Sequence, residues 1–385
     1  MAEFPNGVTV RSSTMVTFLS ESLNSPRVTS TFRDIFSTLH KDIQRYPYNF
    51  IGSNRLMRLT NKKLETTLAE LEWLKKYYAE NFSIEKKPFS KEYDQKLRGE
   101  MRAVIERIHS DVDRAAELIT MVNGRPGRPP KDRILLTKIH LFQVLFEFTN
   151  REMECFSLMF LLNGEETFSY KTIERAYSDP IVAIILHNLF VMSSGEPREV
   201  DSSADGTGIG LFISKHYRKD REKDLKENNE TSDRKEYLMS VAILDIDTNV
   251  YVGYAAGFKS EKELFNEALR LAKKSGFKFN TMRLDKYYSY QSIFECVGKP
   301  TQVIIIPKKG STIKGPKQWK KLIKKIIQEP FVFLADYFKR VKSEYNFSKD
   351  KRKFGKIPQK IVQRIITAAF TRATLRNYSA SHMTG

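Results

Sequence analysis

Three carboxylates and one polar helix stripe are the residues best suited to chemistry. Asp205 opens Asp205-Gly206-Thr207-Gly208, Asp285 follows the strand-like stretch Thr281–Leu284, and Glu344 lies within the helical stretch Phe331–Lys353. Small residues beside Asp205 let a backbone or ligand approach closely. Asp201, in Asp201-Ser202-Ser203, is the alternative first acid, although Asp205 is preferred. Around Glu344, Tyr337, Arg340 and Lys351 are spaced so that all four fall within an arc of roughly 60° on one continuous helix. Leu334, Phe338, Val341 and Tyr345 occupy the adjacent arc, which predicts a buried stripe beside the polar one. Arg and Lys suit phosphate oxygens, and Tyr suits stacking plus a hydrogen bond. Two bland alternatives stand beside this: strand-end acids often cap or solvate, and polar stripes are common on surface helices.

Other chemistries find less support. None of the six histidines lies in a nucleophile motif, no Cys/His spacing suits zinc, and no glycine-rich phosphate loop is present. Cys155 and Cys296 are the two cysteines of a 385-residue chain, which points to a reducing compartment without a disulfide framework. The longest nearly apolar run, Ile181–Met192, is too short to span a bilayer, and the N-terminus shows no secretory signal. A composition 41% hydrophobic and 29% charged excludes a disordered or collagen-like chain.

Charge narrows the choice of partner. The formal charge is +19, from 65 Lys+Arg against 46 Asp+Glu, which favours a polyanion such as nucleic acid. From Lys308 to Lys353 there are 15 basic residues against Glu329, Asp336, Glu344 and Asp350, a net of +11 in 46 residues. Phosphate contacts from such a patch release counterions, so binding should weaken steeply with salt. A solvated basic face that only maintains solubility is the alternative.

The acids need a scaffold. Tyr237–Leu244 and Asn249–Ala256 predict two strands around the Asp245–Thr248 turn, followed by a helix from Glu261 to Ser275. The strand to Leu284, the apolar run Gln302–Ile306, and helices at Lys317–Gln328, Phe331–Lys353 and Gln359–Arg376 complete a mixed α/β sheet with helices on both faces. The charged segment Arg218–Lys235 predicts a mobile loop beside the first hairpin.

Upstream the pattern is helical. Leu64, Leu68, Leu71, Leu74 and Tyr78 form one apolar series, and Leu97, Met101, Val104, Ile108, Val112, Ala115 and Leu118 form a second. A helical hairpin burying its own seam is preferred over a coiled coil, with Pro88 between the two helices. Residues 1–30 read as a loose arm. Gly124–Pro130, with Arg125 and Arg128, reads as an extended linker or as a minor-groove arm that only partly resembles an AT-hook. Short helices follow at Ile134–Phe148, from Asn150, and from Ser169, either as a helix-turn-helix unit or as packing for the next domain.

The spacing Tyr337-x2-Arg340-x3-Glu344-x6-Lys351 resembles the Y-R-E-K signature of insertion-sequence DDE transposases, and residues 124–375 follow the order of that family. Asp205-Gly206-Thr207-Gly208, Asp285-Lys286-Tyr287-Tyr288-Ser289 and Val303-Ile304-Ile305-Ile306-Pro307 match its successive segments, although Lys286 and Tyr287 depart from the small residues common there. The resemblance implies an RNase H-like core in which Asp205, Asp285 and Glu344 bind two Mg2+ ions, with Mn2+ able to substitute. It implies that Arg340 and Lys351 contact phosphates near the cleavage site and that Tyr337 positions the backbone or a displaced base. Lys308 and Lys309, with the rest of the basic stretch to Lys325, would guide flanking or target DNA.

The expected organisation is an all-α region at 1–123 for DNA binding or dimerisation, a linker and small helical domain at 124–196, and a catalytic domain at 197–385. Double-stranded DNA is the expected partner, at transposon ends and at the target, with a homodimer on DNA and no membrane. The compartment would be the prokaryotic cytoplasm at the nucleoid. Two alternatives remain: an RNase H-like nuclease that cuts without joining, and a catalytically inactive transposase-derived DNA-binding protein.

Overall fold

Five strands join in one sheet, and two of them, Tyr237–Asp245 and Tyr251–Gly257, are buried almost throughout. The computed structural model describes residues 59–81, 91–119, 131–161, 168–212 and 237–382. Strands β1 (Glu199–Gly210), β2 (Tyr237–Asp245), β3 (Tyr251–Gly257), β4 (Lys278–Leu284) and β5 (Gln302–Ile304) lie in the order β3-β2-β1-β4-β5. β1, β2 and β3 run antiparallel in a meander, whereas β4 and β5 run parallel to β1. The register is informative: Ala204 pairs with Leu284, so the residues after them, Asp205 and Asp285, emerge side by side. The charged segment 218–235 lies outside the described residues.

Helix α7 (Glu261–Lys274) covers one face, packing on β3, β2 and β1. Its start is set by a capping box, with Ser260 and Glu263 satisfying each other's backbone N–H groups. Gly253 of β3 is required by this packing, because a Cβ there would sit 2.5 Å from the Ala268 carbonyl oxygen. The opposite face is covered by α10 (Pro330–Phe338), α11 (Val341–Lys353) and α12 (Val362–His382). Before α10, α9 (Lys317–Gln328) buries Trp319, Leu322, Ile323 and Ile326 and leaves Lys317, Lys320, Lys321 and Lys324 exposed. A short helix α8 (Ile293–Val297) precedes β5.

Two sequence expectations are corrected. The stretch Phe331–Lys353 is two helices, interrupted at Lys339 and Arg340. The Asp336 carbonyl, which in a continuous helix would accept from Arg340, instead accepts from the Arg283 Nε at 2.9 Å and from the Lys339 N–H at 3.3 Å. The Arg340 N–H shifts to the Tyr337 carbonyl at 3.0 Å, a tighter three-residue closure. The break rotates the second helix, so Val341 and Tyr345 are exposed and Ser343, Asn346 and Phe347 are buried instead. The single arc drawn through Tyr337 and Lys351 therefore does not exist.

The upstream helices also differ from a self-contained hairpin. α1 (Asn61–Asn81) packs against α9 and α10, whereas α2 (Lys91–Glu117) packs against α3 (Arg133–Phe146), α6 (Pro180–Ser193) and α12. The α2 seam of Val104, Ile108, Val112 and Ala115 shares a core with Leu136, Leu189 and Leu375. The described residues from Asn61 onward form one compact unit. Between α3 and α6 stand α4 (Asn150–Phe156), capped by Thr149, and α5 (Tyr170–Ala176), capped by Ser169. The arm at 1–30, Pro88 and the Gly124–Pro130 segment lie outside the described residues.

Candidate active site around Arg340

The site is built where two strand ends meet the first turn of a helix. Asp205 sits on β1 and faces α11, because its neighbour Ser203, two residues earlier on the same face, accepts or donates a 2.7 Å hydrogen bond with Ser343. That buried serine pair holds the start of α11 against β1 and brings Glu344 toward Asp205. The far end of α11 is anchored by Asp350, which accepts from the Tyr251 hydroxyl at 2.7 Å and pairs with Arg376 at 3.2 Å. Asp285 is the first residue after β4 and opens a 3-10 turn, Lys286–Tyr288.

One guanidinium joins all three acids. Arg340 Nη1 lies 3.2 Å from Asp205, and Nη2 lies 3.7 Å from Asp285 and also pairs with Glu344. Among the described residues, no group of three or more His, Cys, Asp or Glu side chains forms a ready metal cage; the acids share Arg340 instead. The Asp205 carboxyl is raised to about 6, chiefly by burial; Arg340 and the Gly206 N–H oppose the rise, and Glu344 and Asp285 add to it. Burial disfavours the Arg340 charge, but Tyr337 and the three carboxylates together hold its pKa above the ordinary value.

The residues proposed from the sequence separate into groups. Asp205, Asp285, Glu344 and Arg340 come together. Asp201 does not join them: four residues earlier on β1, it is about 13 Å along the strand and accepts from the Thr281 hydroxyl at 2.9 Å. Tyr337 is buried, with the Arg340 guanidinium 5.7 Å and the Lys75 ammonium 5.4 Å from its ring centroid. Chiefly through burial its hydroxyl is pushed up to about 12. Lys351 is exposed two turns beyond Glu344, and Lys308 and Lys309 are exposed after β5, with the Lys308 ammonium 5.5 Å from the Tyr287 ring centroid. Arg125 and Arg128 lie outside the described residues.

No protein-family model matches the chain. It is, however, 38% identical over 273 residues to a probable transposase for insertion sequence element ISA1214 from Archaeoglobus fulgidus, covering 70% of this chain and 81% of that relative. The chain belongs to the insertion-sequence transposases.

In this transposase-family chain, sequence reasoning passed over the residues that brace the acids. Arg283 is almost fully buried on β4; it donates to the Thr281 hydroxyl at 2.7 Å and pairs with Asp336 at 2.5 Å. Burial alone would raise the Asp336 pKa, but Arg283, Lys339 and Lys325 outweigh it and hold the carboxyl below its usual range. A charged residue inside an apolar strand at Arg283 was the available signal, since such groups are rarely buried unless paired. Glu261 and Tyr288, joined at 2.7 Å, were masked by an ordinary helix start and an aromatic turn. No single helix among the transposase's described residues is long and apolar enough to cross a membrane.

Proposed function

We propose that this protein is a DNA transposase that cleaves phosphodiester bonds at transposon ends and transfers the freed strand into target DNA by a DDE mechanism. The observation that supports it best is the meeting of Asp205, Asp285 and Glu344 on one guanidinium, in a chain 38% identical to a probable transposase. The strand order β3-β2-β1-β4-β5, with β2 alone running opposite to the other strands, supports an RNase H-like core.

The donor set fits hard divalent cations. Three carboxylate groups from separate segments converge without thiol or imidazole, and they already share one cation, Arg340. Asp205, Asp285 and Glu344 would hold two Mg2+ or Mn2+ ions. When bound, such ions activate an attacking oxygen and neutralise the leaving one.

The remaining roles belong to the chain itself. Arg340 exchanges its carboxylates for a DNA phosphate, for which a guanidinium fork is well suited. Tyr337, packed against that guanidinium, limits where it can swing. Lys308, Lys309, Lys351 and the exposed α9 lysines provide sequence-independent phosphate contacts that hold the duplex in register. Water attacks the scissile phosphorus, the bond to the 3′ oxygen breaks, and that oxygen leaves as a 3′-OH. The 3′-OH then attacks a target phosphorus and displaces the target's own 3′ oxygen, with the number of phosphodiester bonds conserved in this second step. A homodimer would bring two element ends together, and residues 1–123 would serve DNA binding or dimerisation.

The test is supercoiled-plasmid nicking and joining with Mg2+ or Mn2+, comparing wild type, Glu344→Gln, Asp205→Asn and Asp201→Asn. Loss in Glu344→Gln and Asp205→Asn at unchanged DNA affinity, with activity kept in Asp201→Asn, supports the assignment. Equal cleavage by wild type and Glu344→Gln would overturn it. Nicking without joined products on cognate ends would favour a nuclease over a transposase.

A further inference from the structure

The Asp285 turn is gripped from the opposite face of the sheet. Glu261, the first residue of α7, accepts a 2.7 Å hydrogen bond from the Tyr288 hydroxyl. Tyr288 is fully buried, and its N–H closes the turn by donating to the Asp285 carbonyl at 3.0 Å. The same helix makes two more contacts with this segment: Phe265 packs on the Tyr288 ring with centroids 5.0 Å apart, and the Lys262 ammonium lies 4.5 Å from the Tyr290 ring centroid.

Glu261 also touches the strand that bears the other acid. A Cβ on Gly206 would lie 2.6 Å from the Glu261 carboxyl carbon and from the same Oε1 that accepts from Tyr288. Gly206 follows Asp205 and points to the α7 face, while Asp205 points to the α11 face. One carboxylate oxygen thus lies against β1 at Gly206, next to Asp205, and is tied to the turn that begins at Asp285.

We infer that Glu261 is a positioning residue, which fixes the separation of Asp205 and Asp285 by bracing Gly206 on one side and Tyr288 on the other. This inference rests on the metal-binding role proposed above for those two acids. The contact works through hydrogen-bond acceptance, so an amide in the same position should serve nearly as well as a carboxylate. Glu261 is a fourth acid beside the triad, but its Oε1 is committed to Tyr288.

Two readouts on the full-length, DNA-free protein test it. The first is amide hydrogen exchange across residues 285–288 without metal; the second is Mn2+ affinity by electron paramagnetic resonance. Tyr288→Phe and Glu261→Ala should speed exchange in the turn and weaken Mn2+ binding roughly tenfold, the scale seen when a ligand's supporting hydrogen bond is removed. Glu261→Gln should restore both to within about twofold of wild type. A thermal midpoint for each variant separates these effects from general unfolding.

Unchanged exchange and affinity in Tyr288→Phe would overturn the inference. So would Glu261→Gln behaving like Glu261→Ala, because charge and not position would then be the relevant property. If Mn2+ binds to neither wild type nor any variant, the metal reading of the triad fails, while hydrogen exchange alone still decides whether the clamp exists.

Discussion

Arg340 and Asp205, 135 positions apart in the chain, meet at 3.2 Å, and the same guanidinium pairs with Glu344 one helical turn beyond it. A half-buried acid is thereby paired, on the α11 face of the sheet, by a residue at a helix break. Their meeting depends on the interruption between α10 and α11, since a continuous helix would give Arg340 a different direction.

Asp205 should make the metal-free protein less stable as pH rises. Its folded pKa is about 6 against an ordinary aspartate value of 3.8, so between these values the folded state binds more protons than the unfolded. Stability contributed by this group therefore falls as pH climbs through that window, and the penalty is complete above it. Asp205→Asn should gain about 1–3 kcal/mol at pH 7.5 in divalent-free buffer and nothing near pH 4. Urea midpoints at the two pH values check it; equal gains at both would contradict the assignment.

Arg340→Lys keeps one positive charge and loses the planar fork that spans three carboxylates. Plasmid cleavage should fall by at least about tenfold while DNA retention on a filter changes by less than about threefold. Full activity in the lysine variant would mean that a point charge suffices.

Removal of Arg283 should disrupt the helix break as well as an ion pair. Arg283→Met leaves Asp336 with only Lys325 at 3.9 Å and Lys339 at 3.5 Å. Expected destabilisation is about 2–4 kcal/mol by chemical unfolding, a little under the usual range for a broken buried pair because those lysines remain.

Asp201→Asn keeps an oxygen that accepts from the Thr281 hydroxyl, so it should cost less than about 1 kcal/mol and leave Mn2+ affinity within about twofold of wild type. A loss of Mn2+ binding as severe as that of Asp205→Asn would return Asp201 to the metal site.

The exposed α9 lysines are predicted to act on DNA without regard to sequence. Replacing Lys317, Lys320, Lys321 and Lys324 by Gln should leave the melting temperature nearly unchanged, because the buried face of α9 is apolar. The slope of log affinity against log salt should shrink by about one for each phosphate that is no longer neutralised. An unchanged slope would identify this face as merely solvated.

Much of the frame could be read from local pattern. The helix Lys317–Gln328 falls where its apolar spacing predicts, and Tyr237–Asp245 and Tyr251–Gly257 lie within two residues of the strands expected at 237–244 and 249–256. The broken helix could not be read, because neither Gly nor Pro marks Lys339–Arg340, and the side chain that meets the freed Asp336 carbonyl is Arg283, more than fifty residues away. For the same reason the exposure of Val341 and Tyr345 contradicts a wheel drawn on an unbroken helix. The partner of the α2 seam was also invisible, since apolar spacing states that a face is buried but not against what. Acid identity came from motif order, whereas the bracing by Ser203, Ser343 and Glu261 depends on contacts across the sheet that no local window contains.

The union of α2 with α12 has a kinetic consequence. His140 on α3 and Thr371 on α12 share a 2.7 Å hydrogen bond across 231 positions, and Leu375 and Tyr378 fill the core that α2 and α3 begin. Loop closure over such a span is slow, so the helical layer cannot settle before α12 arrives. Refolding should therefore pass through a species in which the early helices wait with an open apolar seam, and the tendency of this protein to aggregate should be greatest in that interval rather than in the native state.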